Sequence, residues 1–257
     1  MTLVRDAPAL LGHGSAAVQL APALVGISHG TSSPVGQSAV AGLLAAVAST
    51  RSDLAVSAGF VDVQTPGVAA TLAAVDQQLD GVVVPLLLSA GYHVHVDLRR
   101  ELDAVRDRRT ALGRALGPDD RLVAVLVRRL EQSGWRPGDR VVLACAGSSD
   151  ARAVDDCREM GERLSRALGA AVRVGFISAA HPRLPDAVEL ERAEHPTARV
   201  VVSTYLLAPG FFADLAAAAG ADSVTGPLLV AGEAAPDELV EIVLDRYYEA
   251  AVPDRLS

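Results

Sequence analysis

Short apolar runs of strand length alternate with alanine-rich stretches of helical spacing along almost the whole chain, and the series is written twice. The first copy runs LVGISHG (24–30), GFVDVQTP (59–66) and VVVPLLLSAGYHVHVDL (82–98). The second runs VVLACAGSS (141–149), GFISAAHP (175–182) and VVVSTYLLAPGFFADL (200–215). Strand–helix alternation builds parallel sheets, because parallel neighbours need a crossover and the crossover helices cover both faces. The expected fold class is therefore α/β, with two similar doubly wound parallel-sheet domains related by internal duplication.

Apolar runs predict strands at 25–28, 54–61, 82–88, 141–145, 171–177 and 199–207, with one more at 121–126. Helical spacing covers 37–48, 67–79, 151–168, 184–193, 211–219 and 237–250, and a long arginine-rich helix is expected over 94–116. The turn-rich GWRPGD (134–139) marks the junction between halves. The expected division is a disordered tail over 1–22, an N-terminal domain over 23–134 that carries the site, and a C-terminal domain over 135–257.

Laid over each other, the copies place His29 on Ala146, Asp62 on Ser178 and His93 on Phe212. Two imidazoles and a carboxylate in one copy are answered by groups with no acid–base chemistry in the other. Each of the three stands at or just past the carboxyl end of a predicted strand, where open α/β sheets bind ligands. Neutral imidazole and carboxylate suit a divalent first-row metal, and they also suit proton transfer near neutral pH. A single centre is expected, with His29, His93 and Asp62 as both catalytic and metal-binding residues.

Local readings compete at each position. Asp62 could instead cap the helix that begins near Pro66. His93 and His95 share a face if their segment is extended and diverge if a helix begins near Val94. Arg99, Arg100, Arg106, Arg108, Arg109 and Arg114 could be a solvated face paired with the interleaved Asp97, Glu101, Asp103 and Asp107, or could hold a polycarboxylate. His13, His181 and His195 read as structural or solvated. Gly26-Ile27-Ser28-His29-Gly30 satisfies G-x-S-x-G, which admits a serine hydrolase with Ser28 as nucleophile.

Composition removes several classes. All 23 basic residues are arginine, so lysine Schiff-base chemistry and a P-loop lysine are excluded. A formal charge of −8 argues against nucleic-acid binding. No uncharged apolar run approaches the roughly 18 residues of a membrane span, and the first 22 residues lack the apolar core of a signal peptide. The expected location is the cytoplasm, with no membrane partner and a monomeric or weakly dimeric state. Cys145 and Cys157 match no zinc or redox spacing, and Cys145 reads as a small core residue.

SHGTSSPVG, GFVDVQTP and VVVPLLLSAGYHVHVDL together resemble the sirohydrochlorin chelatase family, of the CbiX and SirB type, over about residues 24–220. The AGYHV…DL segment is the most specific part. The resemblance implies a tetrapyrrole held in a cleft between two doubly wound halves, and metal insertion without ATP. Its two histidines match His29 and His93, and its acidic position, commonly glutamate, matches Asp62. Thr31, Ser89, Tyr92 and Arg99 are the implied substrate contacts, with Leu86–Leu88 and Tyr92 walling one ring face. No permanently bound cofactor is implied; Fe2+ for sirohaem, or Co2+ for cobalamin, enters as a substrate. Iron is favoured because no histidine-rich tract accompanies the site. A non-catalytic metal or tetrapyrrole carrier on the same fold is the alternative.

Overall fold

The computed structural model describes residues 20–89 and 92–251, with the side chains of 92–95 outside that description. Strands β1 (Ala23–Ser28), β2 (Val56–Phe60), β3 (Gly81–Pro85) and β4 (Thr110–Leu112) form one parallel sheet in the order β2-β1-β3-β4. Strands β5 (Arg140–Cys145), β6 (Val172–Phe176), β7 (Val200–Tyr205) and β8 (Ser223–Val224) form a second in the order β6-β5-β7-β8. The strand orders are identical, as a duplication requires. β1, β3 and β7 are buried along their full length, which is why they read as continuous apolar runs with no alternation.

The helices are α1 (Pro34–Thr50), α2 (Val68–Ala74), α3 (Tyr92–Ala104), α4 (Asp120–Gln132), α5 (Ala151–Leu168), α6 (Leu184–Glu194), α7 (Phe211–Ala217) and α8 (Asp237–Ala251). Along β1, side chains alternate between layers. Ala23, Val25 and Ile27 join Val68 and Leu72 of α2 and Leu98 and Leu102 of α3 on one face. Leu24 points the other way, into a larger core shared by both sheets, with Leu43 of α1, Leu122 and Leu126 of α4, Leu164 of α5 and Val243 of α8.

Two sequence expectations are corrected here. Residues 121–126 are helical, not extended. Asp119 caps α4 by accepting from the Arg121 N–H, and the buried Leu122, Val123, Val125, Leu126 and Leu130 keep a helical period that the local run of apolar residues disguised. The helix expected over 94–116 stops at Ala104, and β4 follows it. The cause is Arg108, whose guanidinium donates to the carbonyls of Val75, Asp76 and Leu79 just past the end of α2. That anchorage turns the chain back so that β4 can pair with β3.

The last helix crosses to the other half. α8 packs on α1, β3 and β4 of the first sheet, while α4 packs on α5 and β7 of the second. Arg246 of α8 is fully buried and donates to the carbonyls of Ala115 and Leu116 and to Asp119 Oδ2, at 3.0, 2.9 and 2.9 Å. A charge so deep is tolerated because its donors are met. The GWRPGD stretch forms the turn between α4 and β5, with Asp139 N–H bonded to the Arg136 carbonyl.

Candidate functional site

Within each sheet the chain leaves the first strand to one side and returns on the other, so the switch point lies between β1 and β3, and between β5 and β7. Ligands bind open α/β sheets in the crevice at that point. His29 is the residue immediately after β1, and it is exposed. Asp62, two residues past β2, is exposed as well.

The loops carrying them are zipped together by backbone. Val61 N–H donates to the Ser28 carbonyl at 2.9 Å, and Asp62 N–H to the His29 carbonyl at 3.1 Å. Gly30 follows with φ +91°, and a Cβ there would collide with the Asp62 carbonyl. A side chain would therefore pry apart the two loops that carry the site. Past Asp62 the chain makes a tight turn in which Gln64 N–H donates to the Asp62 carbonyl at 2.6 Å, with Val63 at φ +63°. Positive φ at a β-branched residue is strained, and such strain collects where the surroundings over-determine a functional backbone.

The second copy keeps this backbone and drops the chemistry. Ile177 and Ser178 donate to the carbonyls of Cys145 and Ala146, Gly147 has φ +88° against Ser178, and Ala179 repeats the turn at φ +54°. The alignment of His29 with Ala146 and of Asp62 with Ser178 is thus reproduced hydrogen bond by hydrogen bond. Phe212, the counterpart of His93, is the second residue of α7 and packs into the core behind the second sheet.

His93 is the second residue of α3. The helix already runs from Tyr92, so positions 93 and 95 lie two apart on a helix rather than alternating on a strand; the side chains of Tyr92, His93 and His95 lie outside the described residues. Among the described residues, no three His, Cys, Asp or Glu side chains form a metal cluster. Asp62 caps no helix. The N-cap of α2 is Gly67, with no side-chain hydrogen bond, and Asp62 Oδ1 accepts from the Val63 N–H instead, at 2.7 Å.

The remaining predicted contacts divide. Thr31 is fixed by its own loop: its N–H donates to Gln64 Oε1 at 2.9 Å, its carbonyl accepts from Gln37 Nε2 at 2.8 Å, and its hydroxyl accepts from the Ser33 N–H at 3.1 Å. Ser33 in turn caps α1. Gln64 was missed by sequence reasoning. Its signal was available in the pairing of the copies, where Ala180 takes its place. Ser89 is half-buried in the loop after β3, and Arg99 is exposed on α3.

Leu86 is a core residue, 2% exposed, and cannot wall a ring. Of the arginine cluster, Arg108 holds the end of α2, Arg109 pairs with Asp80 at 2.8 Å and Arg114 with Glu249 at 2.8 Å. Arg100 lies 3.5 Å from Asp97. Ser28 is the last residue of β1, buried and paired in register with Phe60. It does not project from a sharp strand-to-helix turn, so the nucleophile-elbow reading fails. Cys145 is fully buried, and burial pushes its thiol well above the ordinary range, as befits a core residue. His195 ends α6 as its C-cap.

The halves meet at these loops. A Cβ on Gly36, in the first turn of α1, would strike the Pro209 carbonyl in the loop between β7 and α7, and Gly210 abuts the Thr31 hydroxyl. Tyr205 reaches from β7 to donate to the Leu88 carbonyl at 2.8 Å. Among the described residues no helix is long and apolar enough to cross a membrane.

This architecture is found in solved structures. SirB from Bacillus subtilis with Fe3+ superposes with a TM-score of 0.72 at 22% identity, covering 90% of this chain and 96% of that one. The sirohydrochlorin chelatase SirB from Bacillus subtilis subspecies spizizenii, in complex with cobalt, gives 0.69 at 19% identity, over 90% and 95%. A multi-domain protein from Deinococcus radiodurans, with structural similarity to chelatases, gives 0.63 at 21% identity, over 92% of this chain and 56% of that one. At these identities the likeness establishes the fold. No curated protein sequence matches the chain. The CbiX family model matches residues 23–133 and again 140–229, and by that match, which covers both copies, the chain belongs to the CbiX family.

Proposed function

We propose that this protein is a chelatase that inserts a divalent metal ion into sirohydrochlorin or a closely related tetrapyrrole, without ATP, at one centre built from His29, His93 and Asp62. The observation that carries the reading is the zipped pair of loops after β1 and β2, of which the first borders the β1/β3 switch point. They hold the backbones of His29 and Asp62 side by side in the copy that keeps acid–base groups, and α3, whose second residue is His93, follows the strand on the other side of β1. Fe2+ is the proposed substrate ion, with Co2+ as its competitor.

The reaction exchanges two ring N–H protons for one M2+, so the site must hold the cation and receive two protons. Neutral imidazoles can do either, and an adjacent carboxylate offsets the charge that accumulates. The backbone zip fixes where His29 and Asp62 stand before substrate arrives, which is what positioning requires of such a pair. Macrocycle carboxylates would meet arginine on the exposed side of α3, where Arg99 lies. Pairing of that kind is exposed to solvent and weakens as salt rises.

Uptake of Fe2+ or Co2+ by sirohydrochlorin, followed by absorbance under anaerobic conditions, tests the assignment. His29→Ala and His93→Ala should each slow insertion by at least about 100-fold with the fold intact, the order expected for loss of a key proton-transfer or metal-holding group. His95→Ala should cost far less. Rates near wild type in both alanine variants would remove these residues from the mechanism. A wild-type protein that binds one equivalent and stops would be a carrier, not an enzyme.

A further inference from the structure

The second copy has lost the site's two histidines and its carboxylate but has kept an aromatic residue at the head of the helix after its third strand. Tyr92 is the first residue of α3, and Phe211 is the first residue of α7. Phe211 is 69% exposed, the most exposed large apolar side chain among the described residues. Its neighbour Phe212 turns inward to the core behind the second sheet. Leu215, one helical turn further along the same face of α7 as Phe211, is 40% exposed.

This apolar strip is not on a remote surface. It begins one residue after Gly210, which abuts Thr31 and Ser33 of the loop that carries His29. Val35, in the first turn of α1, and Val63, on the strained turn beside Asp62, are the other large apolar side chains left in water at these loops, 48% and 58% exposed. The duplicated strand order puts α7 at the carboxyl edge of the second sheet, as α3 stands at that of the first. Both edges are therefore headed by an aromatic, while acid–base chemistry is found at one of them.

We propose that Phe211 is a substrate-binding residue that stacks on the face of the flat macrocycle, so that the emptied half supplies binding while the first half supplies chemistry. The inference rests on the chelatase reading and adds to it a division of labour between the copies. An aromatic ring gains from offset stacking on a conjugated plane as well as from removal of its own surface from water. A metal ion alone offers it neither.

That difference sets the test. Full-length protein is titrated anaerobically with sirohydrochlorin in one arm and with Co2+ alone in the other. Phe211→Ala should weaken sirohydrochlorin binding by at least about tenfold and leave Co2+ affinity within about twofold of wild type. Phe211→Tyr and Phe211→Trp, which keep a ring, should stay close to wild type with the macrocycle. Unchanged macrocycle affinity in Phe211→Ala, or an equal loss in both arms, would overturn the proposal while the wild type still binds both ligands. A wild type that binds no tetrapyrrole would overturn the chelatase reading itself, and this inference with it.

Discussion

The Thr31 N–H is bonded to Gln64 Oε1 across 33 residues of sequence, and that bond stitches the His29 loop to the Asp62 loop above the backbone zip. Ala180 cannot make it in the second copy, which keeps the zip and lacks the site. Gln64→Ala should leave the fold in place, since the backbone bonds remain, but loosen the relative placement of His29 and Asp62. We expect kcat for metal insertion to fall about tenfold with KM for the macrocycle within about twofold, because small displacements of reacting groups are costly. Gln64→Glu, which retains the accepting oxygen, should recover most of the rate. Equal kinetics in Gln64→Ala and wild type would make the stitch irrelevant to catalysis. His29 and Asp62 stand out in the sequence as candidates because their side chains declare their chemistry. Gln64 differs between the copies as well, but what it does is not legible, since its partner is a backbone N–H that only the fold brings within reach. Arg108 was misread for the same reason: it looked like one charge in a crowd, and its carbonyl partners lie far away in sequence.

Among the elements, α4 shows how a local pattern misleads and what corrects it. Its apolar residues are contiguous enough to resemble a strand, yet Asp119 supplies the helix cap and Asp120 an acidic first turn, which are start signals of a helix. Asp119 has a larger task. Burial alone would raise its carboxyl, but hydrogen bonds from the Arg121 side chain and backbone and from Arg246 outweigh that cost and hold it at about 2. The folded value lies below the 3.8 of a free aspartate, so Asp119 adds stability that is fully present above about pH 4. That stability is lost as pH falls from about 4 through 2, and it amounts to roughly 2 kcal/mol. Asp119→Asn should flatten this part of the stability–pH curve, measured by urea denaturation at steps between pH 5 and 2. An unchanged acid limb in the variant would assign the loss to other carboxylates. β8, with two residues, and β4, with three, went unseen because strands so short carry no period.

For the whole molecule, the sequence repeat foretold two similar parallel sheets, and the same repeat motivates a site in one half alone. Calorimetric titration of the wild type should accordingly find one catalytic metal equivalent per chain. Ala146→His should create no second centre, because Ser178 and the inward-packed Phe212 leave the new imidazole without partners. Two equivalents in the wild type would end the single-centre reading. What the repeat did not reveal is that α8 returns to cover the first sheet. This feature concerns how the protein comes apart. Residues 23–134 carry every strand of the first sheet but not α8, so a fragment cut there would lose the helix that packs on α1, β3 and β4. Tyr247 of α8 also donates to the Pro22 carbonyl at 2.7 Å, which pins the end of the described chain to its beginning. The two sheets should therefore melt in one cooperative transition, with calorimetric and van't Hoff enthalpies in agreement. Duplication gave the protein two similar halves, and the exchanged helix makes them a single folding unit that neither half can leave alone.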